Sequence, residues 1–184
     1  MTVDLHCDTI SEIYRKKLTL KENNLMIDIK KLKNSNVILQ CFAMFTCLSD
    51  ISAPYKYVNS LIDLYEEEIK KNQSEIDFAK SYDDILKNID NKKISAFLTI
   101  EEGEAIEGSI EKLENFYKRG VRMMTLTWNF ENSIGFGNKR ITENGEFVRY
   151  VPELDNGLKP FGFEVVEKME ELGMIIDVSH LSDA

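Results

Sequence analysis

The sequence predicts an α/β fold built on a parallel sheet. Apolar strand-like segments alternate with amphipathic helical segments along the 184 residues, in the order β, β, α, β, α, β, α, β. Most of the strand segments are almost wholly apolar, which is typical of strands buried on both faces. The apolar fraction of 43% supports a hydrophobic core, and no change in composition marks a domain boundary. We therefore expect a single domain over residues 1–184.

The first half of the chain contains two strands and two helices in this interpretation. Residues 2–8 alternate apolar and polar side chains and are predicted as the first strand. Residues 36–45 are nearly all apolar and are predicted as the second. Residues 54–71 keep apolar side chains at helical spacing behind a proline suited to a helix start. Residues 82–89 form a weaker helical segment.

The pattern continues with a third strand at 94–100, a helix at 106–118 and a fourth strand at 121–127. Gly120 stands where a glycine commonly caps the end of a helix. Residues 128–157 are predicted as a long polar loop, and its length suggests a functional role.

A last helix at 160–172 begins with a proline and is followed by Gly173, and the fifth strand is predicted at 174–178. Five strands cannot close a parallel barrel, which needs eight. The pattern therefore fits either an open sheet or part of a larger barrel.

Composition excludes some classes of partner. The net charge is −9, with 32 acidic against 23 basic residues, which disfavours binding to nucleic acid or to an anionic membrane. No signal-peptide pattern and no apolar run long enough to span a membrane is visible, so a cytoplasmic location is expected. Cys7, Cys41 and Cys47 are interpreted as reduced, buried thiols.

The two histidines of the chain both fall at predicted strand ends. His6 and Asp8 lie two residues apart, so alternation in a strand would place them on one face. An imidazole and a carboxylate converging there are suitable ligands for a divalent cation. Glu101 follows a predicted strand and could bridge two metal ions, while His180 ends the last strand. A hydrogen-bonded core histidine and a solvated loop glutamate are the structural alternatives.

Four parts of the chain together resemble the membrane dipeptidase family, peptidase family M19. They are 4–8; 28–32 leading into 40–45; 100–106 through 122–127; and 157–162 with 172–180. The first resembles the family's His-x-Asp metal motif, and the last resembles its "GLTPFG … LGMLVDVSH" segments. The similarity extends over nearly the whole chain.

The resemblance implies the N-terminal portion, about five strands, of a (β/α)8 TIM-barrel metallohydrolase. It implies hydrolysis of dipeptides by a hydroxide shared between two zinc ions. By motif, His6 and Asp8 would bind one zinc and Glu101 would bridge both. His180 would lie over the scissile carbonyl, where it would bind substrate and stabilise the oxyanion.

The chain departs from the family pattern at two positions. Glu102 replaces the first glycine of a Glu-Gly-Gly segment, and Trp128 replaces a histidine common after "TLT". If the Glu102 carboxylate points inward, it would alter metal affinity or substrate preference. The family's further ligands for the second zinc follow its fifth strand, so we expect these 184 residues alone to be inactive. The resemblance leaves room for a homodimer of the full-length protein.

Two other functions remain open from sequence. A PHP-type metal-dependent phosphoesterase also begins with an Asp-Leu-His segment, although its second ligand is normally histidine where this chain has Asp8. A non-catalytic barrel fragment would bind no metal and would tend to self-associate through its open sheet edge.

Overall fold

A computed structural model describes residues 1–184 as an α/β protein. The elements are β1 (Thr2–Asp4), α1 (Thr9–Lys16), α2 (Ile29–Asn34), β2 (Val37–Phe45), α3 (Pro54–Lys71), β3 (Ile76–Ala79), α4 (Tyr82–Asp90), β4 (Ile94–Glu101), a 3₁₀ helix (Gly103–Ile106), α5 (Ile110–Arg119), β5 (Val121–Thr125), β6 (Lys139–Glu143), β7 (Glu146–Val151), α6 (Pro160–Leu172) and β8 (Ile175–Asp177).

The main sheet has the strand order β1-β2-β4-β5-β8, with β3 paired beside β4. The pairs β1–β2, β3–β4 and β5–β8 are parallel. Strands β6 and β7 form a separate antiparallel pair. Side chains at the carboxyl ends of the parallel strands therefore gather along one edge of the sheet, where α/β enzymes place their sites.

The residues form two compact units. The first comprises Met1–Phe45, Lys56–Ile100 and Gly120–Arg122. Its core is built around Tyr65 of α3, whose ring packs against Phe42 and Phe78 with centroids 5.9 and 5.7 Å away. The buried Tyr65 hydroxyl donates to the Ala96 carbonyl oxygen at 2.9 Å, so this polar group is satisfied inside the core.

The second unit comprises Thr46–Tyr55, Glu101–Arg119 and Met123–Ala184. Helices α5 and α6 contribute buried Leu113, Phe116, Val165 and Met169 to its core. Gly162 of α6 lies so close to the chain at Ile134 that a Cβ atom there would be 2.2 Å from the Ile134 carbonyl oxygen. Only glycine allows this contact between α6 and the loop before it.

Most of the predicted elements are confirmed. Strand β2 is buried along nearly its whole length, as its continuous apolar sequence requires. Helix α3 has the predicted bounds, and α6 begins with Pro160 and ends at Gly173 in the left-handed conformation. None of the helices is both long and apolar enough to cross a membrane. The single-domain organisation stays a prediction.

The first strand is shorter than predicted. It ends at Asp4, so His6 and Asp8 lie in the segment between β1 and α1 and not on one face of a strand. The reason is that Asp8 already precedes a helix: its carbonyl oxygen accepts a hydrogen bond from the Glu12 amide at 3.1 Å. Strand alternation was therefore the wrong basis for placing these side chains together.

Three short elements were not predicted, namely α1, α2 and β3. Helix α1 spans eight residues and β3 spans four, too short for clear periodicity. Helix α2 did carry a local sequence signal, namely an aspartate at the position before its first residue. Asp28 caps the helix by accepting a hydrogen bond from the Lys31 amide at 2.7 Å.

The predicted loop 128–157 contains the hairpin of β6 and β7. Its turn is Asn144-Gly145, and both residues have positive φ angles of 51° and 83°. Asn-Gly is the most characteristic sequence of a two-residue hairpin turn. The hairpin could therefore have been predicted, although its strands are almost wholly exposed.

Asp28 is expected to be a major local determinant of stability. Its buried carboxylate accepts hydrogen bonds from the backbone amides of Lys31 and Asn23 and from the Lys31 ammonium. Burial alone would raise the pKa of Asp28, but these hydrogen bonds hold that pKa below its ordinary value. This contribution is present above the unfolded-state pKa and is lost as the pH falls through the lower folded-state pKa.

We expect Asp28→Ala to lower the free energy of unfolding by about 2 kcal/mol, because the helix cap and buried hydrogen bonds are lost. Asp28→Asn keeps a capping oxygen and should cost less. Urea unfolding at neutral pH measures both. An Asp28→Ala variant as stable as the wild type would contradict this contribution.

Candidate metal centre

His6 and Asp8 form a close pair after β1. The His6 Nε2 atom lies 3.3 Å from Asp8 Oδ1, and both side chains are partly exposed. The backbone holds them in place: the His6 amide donates to Asp4 Oδ1 at 3.2 Å, and the Asp8 carbonyl oxygen accepts from the Ser11 hydroxyl at 2.8 Å. The pair therefore converges through the turn into α1.

Glu101, the last residue of β4, completes a group of three possible ligands. One ligand atom each from His6, Asp8 and Glu101 lies within 4.8 Å of the others. Glu101 is only 6% exposed. Two carboxylates this close repel each other when both are ionised, and a divalent cation removes that repulsion. One imidazole with two carboxylates is a donor set that suits zinc and similar divalent metals.

His180 approaches the same carboxylate. Its Nε2 atom lies 3.4 Å from Glu101 Oε1, and its side chain is 35% exposed. The turn after β8 directs the ring there: Asp177 Oδ1 accepts from the Ser179 amide and hydroxyl, and His180 itself has a φ angle of 65°. The other three residues singled out in the sequence, His6, Asp8 and His180, thus lie around Glu101.

Glu102 points away from these ligands. Its carboxylate is fully buried and accepts hydrogen bonds from the amides of Glu104 at 3.0 Å and Trp128 at 3.1 Å, and from the side chain of Asn132. Burial raises the pKa of Glu102, and the three hydrogen bonds oppose that rise. The extra carboxylate therefore anchors a loop rather than adding a metal ligand.

Asn132 extends this anchor and was not predicted. Its side-chain oxygen accepts from the amides of Ile134 and Gly135 at 2.8 and 3.0 Å, and its amide donates to the Leu126 carbonyl oxygen at 2.9 Å. An asparagine in a polar loop carries no local sign of such a role. Glu102 and Asn132 together fix the loop that follows β5.

Trp128 begins that loop. Its ring centroid lies 6.4 Å from that of His180 and 5.9 Å from that of Phe130. The indole therefore lies beside the imidazole of His180, where the family pattern has a further histidine. It supplies an aromatic surface at this position.

Cys7 lies between the two predicted ligands in the sequence, and its side chain is buried. Burial raises the pKa of its thiol to about 12. Cys7, Cys41 and Cys47 are all free.

Replacing Glu102 tests the loop anchor. Glu102→Ala should lower the free energy of unfolding by about 2 kcal/mol, because it leaves buried donors without an acceptor. Trp128 is the single tryptophan of the chain, so its fluorescence reports on the loop directly. We expect a shifted emission maximum in Glu102→Ala and none in Glu111→Ala, which removes an exposed carboxylate on α5. An unshifted spectrum in both variants would contradict the anchor.

Comparison with known proteins places the chain in a family. The sequence model of the membrane dipeptidase family, peptidase family M19, matches residues 1–184. An uncharacterized dipeptidase of Schizosaccharomyces pombe is 29% identical over 166 residues, covering 84% of this chain and 38% of that protein. Dipeptidase 3 of Mus musculus is 36% identical over 92 residues, covering 50% of this chain and 17% of that protein. The chain thus spans less than half the length of these relatives.

Solved structures share the fold. The crystal structure of dipeptidase AC, a metallopeptidase of family M19, has a TM-score of 0.85 at 17% identity and covers 98% of this chain and 56% of its own. A metallopeptidase of Rhodobacter sphaeroides, bound to a phosphinate mimic of L-Ala-D-Ala, has a TM-score of 0.82 at 16% identity. It covers 100% of this chain and 60% of its own. These matches confirm the predicted fold class, the N-terminal part of a TIM barrel. Since the family model matches every residue, the chain belongs to the membrane dipeptidase family, peptidase family M19.

Proposed function

We propose that the whole protein carrying this sequence is a zinc-dependent dipeptidase. The observation that carries the proposal is the group of His6, Asp8 and Glu101, whose ligand atoms lie within 4.8 Å of one another in a chain of this family. The phosphinate dipeptide mimic bound by the Rhodobacter sphaeroides metallopeptidase supports a dipeptide as the substrate class.

In this proposal His6, Asp8 and Glu101 hold one zinc ion. The 3.4 Å separation between His180 Nε2 and Glu101 Oε1 supports a second cation shared by these two residues. A carboxylate offers one oxygen to each of two metals, so Glu101 would bridge them. If Nε2 of His180 binds a cation, the same atom cannot stabilise the oxyanion. We therefore propose a metal-binding role for His180 as an alternative to the oxyanion role that the family resemblance implies.

Bound zinc supplies an acidified water and polarises the scissile carbonyl. The protein's own residues contribute by holding the site in position. The buried Glu102–Asn132 anchor fixes the chain next to Glu101, and the ring centroid of Trp128 lies 6.4 Å from that of His180.

Membership of this family favours a dipeptide over a phosphate ester as the substrate. The PHP-type alternative and the non-catalytic alternative make different predictions, since the first requires phosphatase activity and the second requires that no metal binds. A homodimer of the whole protein is a further proposal, which light scattering tests directly.

Metal binding should depend on each proposed ligand. In the full-length protein, we expect His6→Ala and Asp8→Asn to weaken zinc binding at one site by on the order of 100-fold or more. Loss of a residue that only hydrogen-bonds to a metal ligand already weakens metal binding strongly, and loss of the ligand itself should cost at least as much. Glu101→Gln should weaken both sites, and His180→Ala only the second. Calorimetric zinc titration with elemental analysis measures this.

Asp90→Asn, an exposed carboxylate at the end of α4, is the matched control and should bind zinc like the wild type. Wild-type protein without zinc affinity would contradict the proposed function and support the non-catalytic alternative. Loss of both cations in His180→Ala would contradict the separate role of His180.

Activity should follow the metal and the substrate class. We expect the full-length protein to hydrolyse dipeptides, to lose this activity on chelation, and to regain it when zinc is restored. The same preparation should leave p-nitrophenyl phosphate intact. Metal-dependent cleavage of that ester without dipeptide hydrolysis would instead identify a phosphoesterase.

A further inference from the structure

A cavity of about 630 Å³ opens beside His6 and Asp8, within the first compact unit. One side is formed by β1 and the start of α1, and the other by residues 24–27 ahead of α2. This volume is in the range typical of small-ligand sites. Because the cavity includes two proposed zinc ligands, whatever occupies it lies next to the cation.

The second wall is apolar. Leu25, Met26 and Ile27 are consecutive apolar residues in an irregular segment, and Met26 is 90% exposed. Exposed methionines commonly mark adaptable binding surfaces, because the unbranched thioether fits irregular apolar shapes. Nothing in the fold requires an apolar side chain at this position, since Met26 packs into neither core.

The wall is fixed rather than free to move. The Lys31 ammonium donates to the carbonyl oxygens of Asn23 and Leu25 at 2.8 and 2.7 Å, and to Asp28 Oδ2 at 2.6 Å. The Asn23 amide donates to the same Asp28 oxygen at 3.1 Å, and Asn23 Oδ1 accepts from the Leu25 amide at 2.9 Å. The buried Asp28 carboxylate and its hydrogen-bond partner Lys31 thus hold the backbone that presents Met26.

The charge of the cavity selects one end of a dipeptide. Asp4, Asp8 and Glu12 line it, and no lysine or arginine does. Glu12 is paired with Arg15 and Lys16, and Asp8 would be neutralised by zinc, which leaves Asp4 as the uncompensated carboxylate. Asp4 is then available to pair with the ammonium group of an amino-terminal residue, whereas no basic side chain lines the cavity to pair with a carboxyl terminus.

We propose that this cavity is the subsite for the amino-terminal residue of the dipeptide, with Leu25, Met26 and Ile27 receiving an apolar side chain. The inference rests on the proposed dipeptidase function and adds a substrate class to it, namely dipeptides with an apolar amino-terminal residue. Met26 is then the specificity-determining residue.

The test uses the full-length, zinc-loaded protein and the substrates Leu-Ala, Gly-Ala and Ala-Leu. Met26→Ser should lower kcat/KM for Leu-Ala by about fivefold to tenfold, because an apolar contact with the leucine side chain is lost. It should leave Gly-Ala and Ala-Leu within twofold of the wild type. Met26→Leu should restore the Leu-Ala value. Leu154→Ser, which removes another exposed apolar side chain (68% exposed) away from the cavity, should change none of the three.

Binding provides a readout that does not depend on turnover. Calorimetry with phosphinate analogues of Leu-Ala and Gly-Ala should show the same fivefold to tenfold weakening in Met26→Ser for the leucine analogue alone. Thermal unfolding of Met26→Ser should match the wild type, since the side chain is exposed.

The outcomes separate the two proposals. Wild-type protein that neither hydrolyses a dipeptide nor binds a phosphinate analogue overturns the dipeptidase function, and the subsite with it. Wild-type hydrolysis with an unchanged Leu-Ala to Gly-Ala ratio in Met26→Ser overturns the subsite alone. A selective loss on Ala-Leu also overturns it, because the cavity would then receive the carboxy-terminal residue.

Discussion

The buried carboxylate of Glu102 is the constraint on which the candidate site depends. A carboxylate without solvent contact must be hydrogen-bonded, and this one is met by two backbone amides and the Asn132 side chain. These donors belong to the turn after β4 and to the loop after β5. Neither segment can move without leaving a buried charge partly unsatisfied, so Glu101 and Trp128 are fixed together.

The surroundings of Glu101 and Glu102 explain how two adjacent carboxylates can lie close to the candidate metal site. Glu101 faces His180 on one side and shares a ligand group with His6 and Asp8. Glu102, its neighbour in sequence, instead accepts hydrogen bonds from two backbone amides and from the Asn132 side chain. The two adjacent glutamates thus differ in role: Glu101 is a candidate metal ligand, and Glu102 holds the backbone. The free-energy cost of removing the Glu102 carboxylate from water is offset by its three hydrogen bonds.

A second buried carboxylate has a comparable role near His6 and Asp8. Asp28 and Lys31 form an ion pair that also binds the backbone at Asn23 and Leu25. The hydrogen bonds to the buried Asp28 carboxylate stabilise this segment and define one local conformation. In both places a buried acidic group makes an irregular segment beside the candidate site rigid. Such rigidity limits the conformational entropy lost on binding.

The sequence by itself determined the α/β class, most helices and strands, and the four residues His6, Asp8, Glu101 and His180. Periodicity and capping are local properties, and metal-ligand chemistry is visible in the residue types. The Asn144-Gly145 hairpin and the Asp28 cap were also present in the sequence as local signals, although the predictions did not use them.

Tertiary structure decided the rest. It ended β1 at Asp4, turned Glu102 away from the metal ligands, brought Asn132 beneath the loop and set Met26 beside His6. The orientation of Glu102 depends on partners far apart in the chain, such as Asn132 thirty residues later. The direction of a buried polar side chain follows from which donors surround it after folding, and no local pattern specifies that.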